Sequence, residues 1–202
     1  MQAIAGELRP CFARADEARE KALRSCRQII RYSAEAIRAV HRQQPGKAKQ
    51  LLASAQELLQ ELDRELAGHG RLRHSGFVHD AQKEFSEGCI TLAFIAGEAL
   101  PKPETLGVDN AAYLDGLGES VGELRRFILD SLRRDDLSRC EDLLTVMDEI
   151  YAMLMTMDFP ELLAHGLRRT TDSLRGIIER TRGDLTISLR QKKLERRLDD
   201  LR

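Results

Sequence analysis

The sequence predicts an all-α protein, a single elongated bundle of six or seven helices. Leu, Ala, Arg and Glu dominate the 202 residues, aromatic residues make up only 4%, and Trp is absent, which is typical of helices packed on helices. Apolar residues recur every three or four positions, the period of an amphipathic helix. A chain of this length forms one sizeable domain. We therefore expect residues 1–202 to fold as one unit, with residues 1–12 and 191–202 as frayed tails.

Helices one and two are each predicted from one apolar stripe. Helix one should run from about Asp16 to Gln43, because Pro45-Gly46 interrupts the pattern there. Helix two should end at the Gly-His-Gly turn of residues 68–70. The stripes consist of Leu23, Cys26, Ile30, Ala34, Ile37 and Val40 in helix one, and of Leu51, Leu52, Ala55, Leu58, Leu59, Leu62 and Leu66 in helix two.

Helices three and four are bounded by clear stop and start signals. Helix three should run from near Ser75 to Leu100, because Pro101 and Pro103 end it. Its second half is apolar nearly all round, so this segment should be buried.

Helix four should follow after a short loop. Asp109 or Asn110 can cap its start, and the helix should continue through Arg134.

The last third of the chain is predicted to be helical but interrupted. Helix five should run from about Asp136 to Met157, and Pro160 separates it from the C-terminal region. From about Glu161 a broken helical region should lead into a long charged segment, which Gly176 and Gly183 weaken. The apolar stripe of this segment consists of Leu174, Ile178, Leu185, Leu189, Leu194, Leu198 and Leu201.

Charge and cysteine content limit the classes of function. The chain has 32 basic and 33 acidic residues and a net charge of −1, so any basic site for a nucleic acid must be local. Because no apolar run is long enough for a membrane span or a secretory signal, we expect a cytoplasmic protein without a membrane partner. The cysteines form no CxxC pair and no zinc-ligand pattern, which indicates reduced thiols. They are Cys11, Cys26, Cys89 and Cys140.

Two pairs of glutamates are candidates for a metal site. Glu84 and Glu87 share one face of helix three beside its most apolar stretch, and Glu119 and Glu123 share one face of helix four. Like charges at this spacing repel one another, and a shared divalent cation removes the repulsion. If the two helices pack side by side, the four carboxylates converge and could hold Mg²⁺, or alternatively Mn²⁺. By itself, however, the pattern favours solvated glutamates on polar helix faces.

Helix four is also rich in glycine. Each glycine within a helix costs roughly 1 kcal/mol of stability relative to Ala. We therefore expect a neighbouring element to approach the backbone of helix four closely. The glycines are Gly116, Gly118 and Gly122.

The first long helix resembles a conserved helix of the translin and Trax family. In that family a Ser-Arg-Asp-Ile segment is followed by a helix that ends in His-Arg. Within residues 20–42, Cys26-Arg27-Gln28-Ile29 and His41-Arg42 occupy these places. The resemblance covers roughly residues 13–190. It is specific, because three separated motifs, of which this is the first, occur in the same order at compatible spacing.

The two further motifs contain the four glutamates. The segment QKEFSEGCITLAFI, residues 82–95, is similar to a Trax stretch with two acids three apart, which places Glu84 and Glu87 at the acidic positions. Residues 113–124 fit the family pattern Tyr-Leu-x-Gly followed by Gly-Glu-Leu, and Glu119 lies where Trax has a catalytic Asp. Glutamate is longer than Asp by one methylene but keeps the oxygen ligand. Translin itself lacks the first pair and has no acid at the position of Glu119.

The resemblance implies a translin-like fold and an enzyme of the Trax type. In the family, Trax cleaves RNA through four acids and Mg²⁺, whereas translin mainly binds RNA and shapes a hollow oligomer. The expected function is therefore a metal-dependent endoribonuclease that cleaves single-stranded RNA inside a homo-octameric shell, with single-stranded DNA as a further ligand. The residues expected to be both catalytic and metal-binding are Glu84, Glu87, Glu119 and Glu123.

Basic residues on helix one and at the start of helix three are candidate RNA contacts. Five arginines of helix one recur at steps of three, four, seven and four, which traces one stripe that could line up phosphates. The alternative is a solvated helix face compensated by Glu20 and Glu35. The stripe consists of Arg24, Arg27, Arg31, Arg38 and Arg42, and the candidate RNA-binding residues are Arg27, Arg24, Arg31, Arg73 and His79.

Two rival functions are compatible with the same sequence. A translin-like module would bind single-stranded RNA or DNA without cutting it, and its acids would serve structure. A purely structural helical scaffold would use its apolar helices for assembly, since a fold does not determine a function. No motif for sequence-specific base recognition is present, so length, strandedness and shape should decide which nucleic acids bind.

Overall fold

The computed structural model describes residues 1–157, 159 and 167–200, and these form an all-α bundle. Six helices of 16 residues or more and two of four residues are described within these ranges. None of the described helices combines the length and the apolar character needed to cross a membrane. The helices are α1 Gln2–His41, α2 Pro45–Glu65, α3 Gly70–Arg73, α4 Gly76–Ala96, α5 Pro103–Leu106, α6 Asn110–Arg133, α7 Cys140–Met155 and α8 Leu167–Asp199.

Helix α1 is longer than the sequence pattern predicted. It begins at Gln2 rather than near Asp16 and continues through Pro10. A proline inside a helix removes one backbone hydrogen bond, but the surrounding Ala, Glu and Arg residues favour a helix and no packing opposes it. Residues 1–12 are exposed, as are most of residues 191–200 in α8. Fraying of these ends in solution stays a prediction.

The turn between α1 and α2 spans only residues 42–44. Gln43 adopts a left-handed φ of 58°, and Pro45 occupies the first turn of α2. A proline at this position needs no hydrogen bond for its missing N–H, so Pro45 starts the second helix as well as marking the end of the first. The two helices therefore pack as a hairpin.

Helix α4 is the central element of the bundle. It packs against α1, α2 and α6, and α6 packs in turn against α7 and α8. The second half of α4 is buried, as its apolar character predicted. The largest fully buried side chains are Phe85, Ile29, Leu62, Leu66, Ile90, Leu117, Leu124, Ile128, Leu143, Met147, Leu174 and Val121.

Several helix ends differ from the prediction because turn residues intervene. Helix α4 ends at Ala96 rather than Leu100, because Gly97 adopts φ 70° and caps the helix in the left-handed conformation. Helix α6 begins as predicted, and the Asp109 side chain accepts a hydrogen bond from the Ala111 N–H. Helix α7 begins at Cys140 rather than Asp136, because the Asp136 carboxylate accepts hydrogen bonds from Ser138 and forms a turn.

The last described helix is continuous. Helix α8 forms the predicted long charged segment and passes through Gly176 and Gly183 without a break. Leu174, Ile178 and Leu185 are buried, so tertiary packing outweighs the cost of the two glycines that were expected to weaken the helix. Pro160, residues 161–166 and Leu201 lie outside the described residues. All four cysteines are free thiols.

Candidate metal centre

Helices α4 and α6 run parallel and bring the predicted acids together. His79 Nε2 lies 2.9 Å from Asp115 Oδ2, and one helical turn later Lys83 Nζ lies 2.8 Å from Glu119 Oε1. Both pairs are 36 residues apart, which requires the two helices to advance in the same direction. One turn further along both helices, the same offset of 36 residues places Glu87 of α4 opposite Glu123 of α6.

Two glycines of α6 permit close approach of neighbouring helices, Gly116 on the side of α4 and Gly118 on the side of α8. A Cβ on Gly116 would lie 2.7 Å from the Lys83 carbonyl oxygen and 2.9 Å from the Glu87 backbone nitrogen. A Cβ on Gly118 would lie 2.6 Å from the Thr170 Cγ2 atom of α8. Nothing lies within 4 Å of a Cβ on Gly122. The expectation of close backbone approach is therefore confirmed at two of the three glycines.

Three of the four predicted acids converge. Oxygen atoms of Glu84, Glu87 and Glu119 all lie within 4.8 Å of one another. Oxygens bound on opposite sides of one Mg²⁺ are about 4.2 Å apart, given metal–oxygen distances of about 2.1 Å. The cluster therefore needs only a small contraction to bind one ion. An all-oxygen donor set is the kind that Mg²⁺ and Mn²⁺ favour, so these carboxylates could hold either ion.

Burial and mutual repulsion disfavour ionisation within the cluster. Glu87 is only 9% exposed, and its burial, followed by the charges of Glu119, Glu84 and Glu123, raises its pKa to about 8. Burial also raises the pKa of Glu84, although the charge of Lys83 opposes this shift. A cation placed between the carboxylates would remove this repulsion and favour the ionised forms.

Glu123 lies beside the group of three and is held by a residue of α1. His41 Nε2 lies 2.5 Å from Glu123 Oε2, and the Glu123 pKa is lowered, first by this hydrogen bond. The His41 side chain is only 5% exposed, and its Nδ1 atom is buried without a hydrogen-bond partner. Sequence reasoning used His41 only as part of a family motif, so its contact with Glu123 was missed, although the motif itself was the signal.

Lys83 is a second residue of the site that the sequence patterns did not indicate. Its Nζ atom lies 3.7 Å from Glu84 Oε1 in addition to its contact with Glu119. Burial acts to lower the pKa of Lys83, but the hydrogen bond and the charges of Glu119 and Glu84 outweigh it, so the pKa is raised. One lysine among 32 basic residues gave no signal in the sequence, because its role depends on the packing of α4 against α6.

Comparisons with known proteins identify the fold and the family. No family model matches the chain. Uncharacterized protein MJ0175 of Methanocaldococcus jannaschii is 30% identical over 189 residues, which are 93% of this chain and 83% of that protein. A structure of AfC3PO in complex with duplex RNA has a TM-score of 0.81 and 33% identity over 93% of this chain and 96% of that chain. AfC3PO is a translin/Trax-family structure. The chain belongs to the translin/Trax family.

Two further structures of this family have the same fold as this chain. The crystal structure of AfC3PO has a TM-score of 0.80 and 32% identity, and covers 93% of this chain and 97% of that chain. Apo-NeC3PO has a TM-score of 0.82 at 18% identity, covering 91% of this chain and 96% of that chain, and supports the fold alone. The translin-like all-α fold that the sequence motifs implied is thus confirmed.

The RNA-contact residues predicted for this translin/Trax chain lie in three places. Arg24, Arg27 and Arg31 are exposed on α1, on the side opposite its buried residues, so within one chain they do not line the acid cluster. Arg73 forms an ion pair with Asp63 of α2, with 2.6 Å between nitrogen and oxygen. Only His79 lies near the acids. Its pKa is raised, first by its hydrogen bond to Asp115.

A cleft lies at the C-terminal end of α1, where the last two arginines of the stripe, Arg38 and Arg42, are found. It has a volume of about 250 Å³ and is lined by three basic residues, Arg38, Arg42 and Lys47, against one acidic residue, Glu35. Its other lining residues are Ala39 and Gln44. The local excess of positive charge makes this cleft a candidate contact for phosphate groups.

Proposed function

We propose that this translin/Trax protein is a metal-dependent endoribonuclease. The observation that carries the proposal is the convergence of Glu84, Glu87 and Glu119 within 4.8 Å, with Glu123 beside them. Carboxylates that face one another in a partly buried seam are unfavourable unless a cation is shared among them. The family places its ribonuclease acids at the same motif positions, which favours an enzyme over a scaffold.

Each of the four acids has a separate place in the proposed centre. Glu84, Glu87 and Glu119 are the ligands of Mg²⁺, or of Mn²⁺ as the alternative ion, and Glu123 completes the set while His41 fixes its orientation. When bound, the ion supplies Lewis-acid stabilisation of the negative charge that develops on a phosphoryl group during hydrolysis. The carboxylates hold the centre on two packed helices, which is more rigid than a loop.

The proposed substrate is RNA. AfC3PO, which is 33% identical over most of this chain, has been solved in complex with duplex RNA. In this chain, His79 lies about one helical turn from Glu84, and the basic cleft at the end of α1 offers a second phosphate contact. We propose single-stranded RNA as the substrate that is cut, with single-stranded DNA and duplex RNA as further ligands. The predicted contacts of Arg24, Arg27, Arg31 and Arg73 remain part of this proposal.

Assembly into a homo-octamer is the second part of the proposal. The end of α8 exposes three large apolar side chains on one face, Ile187, Leu194 and Leu198, each more than half exposed. A helix turns by 100° per residue, so these three positions lie within a narrow stripe. Exposed apolar stripes of this kind are typical of surfaces that another subunit covers.

A cleavage assay with a matched control tests the proposal. Purified protein is incubated with labelled single-stranded and duplex RNA in Mg²⁺ or EDTA, alongside a Glu84→Ala, Glu123→Ala double variant. The control is Glu57→Ala, Glu61→Ala, which removes two exposed acids four residues apart on α2. We expect cleavage by the wild type and the control in Mg²⁺, and at least a hundredfold loss in EDTA and in the double variant. Equal cleavage by all three proteins would contradict the assignment.

One observation favours a binding module as the second candidate function. Lys83 and His41 already partner Glu119 and Glu123, so part of the charge of the four acids is compensated within the chain. In that case the acids would serve to pack α1, α4 and α6 together. RNA that is bound but uncut in Mg²⁺ would support this translin-like module, and absence of RNA affinity at low salt would support a scaffold.

A further inference from the structure

Lys83 occupies an unusual place for a lysine. Its side chain is 20% exposed, compared with 54% for Lys49, which pairs with Glu98 on the surface. It extends from α4 across the seam to α6, and its Nζ atom lies 2.8 Å from Glu119 Oε1 and 3.7 Å from Glu84 Oε1. The lysine is therefore bound to two of the three carboxylates that converge.

The position of Lys83 conflicts with a bound divalent ion. The three acid oxygens that would surround an ion lie within 4.8 Å of one another, and the ammonium group already donates a hydrogen bond to the Glu119 carboxylate. An ion bound to Glu84 and Glu119 would stand within a few ångströms of the ammonium group, and two positive charges at such a distance repel one another strongly in a partly buried site. Either the ammonium group moves away, or the ion binds weakly.

We propose that Lys83 is a built-in counter-ion of this acid cluster, which stabilises Glu84 and Glu119 when no metal is bound and is displaced when a metal binds. Lys83 thereby determines how tightly the protein holds its metal. The proposal rests on the proposed function in treating the acids as metal ligands, but it concerns metal affinity and not RNA cleavage. Because each bound ion must displace the lysine, the affinity of the native chain is lower than its carboxylates alone would give.

The alternative is that Lys83 only joins α4 to α6. A structural ion pair of this kind would affect the melting temperature, but its removal would leave the dissociation constant of the metal unchanged. Under the proposal, removal of the positive charge lowers the stability of the metal-free protein and tightens metal binding at the same time. Both alternatives predict a less stable metal-free protein, but only the proposal predicts tighter metal binding. A measurement of metal affinity therefore separates them.

The test is calorimetric titration of the full-length protein with Mn²⁺ at pH 8, without RNA. Lys83→Met removes the charge, Lys83→Arg keeps it, and Lys49→Met is a control that removes a surface ion pair outside the cluster. We expect Lys83→Met to bind Mn²⁺ at least tenfold more tightly than the wild type. Lys49→Met should remain within twofold of the wild type, and Lys83→Arg should bind no more tightly than the wild type.

The possible outcomes separate this proposal from the proposed function. Unchanged or weaker Mn²⁺ binding by Lys83→Met, in a protein whose wild type does bind Mn²⁺, overturns the role of Lys83 and leaves the ribonuclease proposal standing. Absence of Mn²⁺ binding in every variant overturns both. Tighter binding together with uncut RNA upholds the role of Lys83 and removes only the nuclease. Should Lys83→Met not fold, Lys83→Gln keeps a hydrogen-bond donor without the charge, and the same tenfold criterion applies.

Discussion

Glu87 is the acid of the cluster whose ionisation is most strongly disfavoured. It is the most buried of the four acids, and ionisation brings its charge close to those of Glu84, Glu119 and Glu123. Its pKa of about 8 lies well above the ordinary value of 4.5. The metal-free protein therefore carries this carboxyl group largely in its protonated form near neutral pH.

We predict that this residue gives the metal-free protein a stability that falls as pH rises. Because the folded-state pKa of Glu87 is raised, its contribution is fully present below about pH 4.5 and is lost as pH rises through about 8. Each unit of difference between the folded-state pKa of about 8 and the ordinary value of 4.5 is worth about 1.4 kcal/mol, so the total loss is on the order of 5 kcal/mol. Denaturant unfolding in EDTA between pH 5 and 9 should show this loss in the wild type.

The comparison with Glu87→Gln isolates the effect of Glu87 from that of other titrating groups. Glutamine is similar in size to Glu but cannot ionise, so the variant should lose much less stability over the same pH range. Saturating Mg²⁺ should flatten the pH dependence of the wild type, because a bound cation favours the ionised carboxylates. Parallel curves for wild type and variant in EDTA would show that Glu87 is not responsible.

The candidate site could be predicted from the sequence only in part. Glu84 and Glu87 were found because two acids three apart adjoin an apolar helix, and the family motifs supported them together with Glu119. His41 and Lys83 could not be assigned from spacing, because their partners are 82 and 36 residues away in the chain. Such contacts depend on how helices pack, which periodicity does not specify.

Among the helices, the packing of α4 against α6 depends on one glycine. A Cβ on Gly116 would lie 2.7 Å from a backbone carbonyl oxygen and 2.8 Å from the Ser86 Cβ atom, distances that side-chain motion cannot relieve. The two helices would have to separate, and the acids of α4 and α6 would separate with them. The glycine is thus required for both the fold and the site.

We predict opposite effects for two alanine substitutions at different glycines of α6. Gly116→Ala should destabilise the protein by about 1–3 kcal/mol, because it overpacks the interface between α4 and α6. Gly122→Ala should stabilise it by about 0.5–1 kcal/mol, because a Cβ there meets nothing within 4 Å and alanine favours the helix. Thermal unfolding of both variants measures the difference. Equal effects of the two substitutions would argue against close packing at Gly116.

Helix identity was easier to predict than helix ends. The apolar stripe of α2 and the burial of the second half of α4 were predicted correctly, because burial follows directly from the distribution of apolar residues around the helix. The differences lie at the helix ends. Helix α1 begins at Gln2 rather than near Asp16, because neighbouring Ala, Glu and Arg residues favour a helix despite Pro10. Helix α4 ends before Leu100, because Gly97 adopts a left-handed φ.

At the scale of the whole molecule, the exposed apolar stripe at the end of α8 has no partner within the described part of the chain. Ile187 and Leu194 are each 59% exposed and Leu198 is 53% exposed. Because a helix turns by 100° per residue, these three positions lie on the side of α8 opposite Leu174, Ile178 and Leu185, so packing within one bundle does not explain them. The proposed contact between subunits would explain them.

We predict that Leu194→Glu combined with Leu198→Glu reduces the mass of the assembly. Both positions are exposed in the single chain, so the fold should persist while a charged stripe prevents subunits from associating. A control with the same change in net charge is Lys193→Gln combined with Arg196→Gln, which lies off the stripe. Light scattering coupled to size exclusion measures the mass. An unchanged mass in the leucine variant would locate the subunit contact elsewhere.

The parallel arrangement of α4 and α6 also determines where this chain can accept added sequence. The alignment of the acids is fixed by packing around Gly116 and by the contacts of Lys83, and not by the exposed stretch at residues 97–100 that leads away from α4. Extra residues inserted in that stretch would loop into solvent and leave each acid opposite its neighbour. One extra residue inside α4, between Lys83 and Glu87, would instead turn the rest of the helix by about 100° and disperse the cluster. Length variation among relatives of this protein is therefore expected between these two helices and not within them.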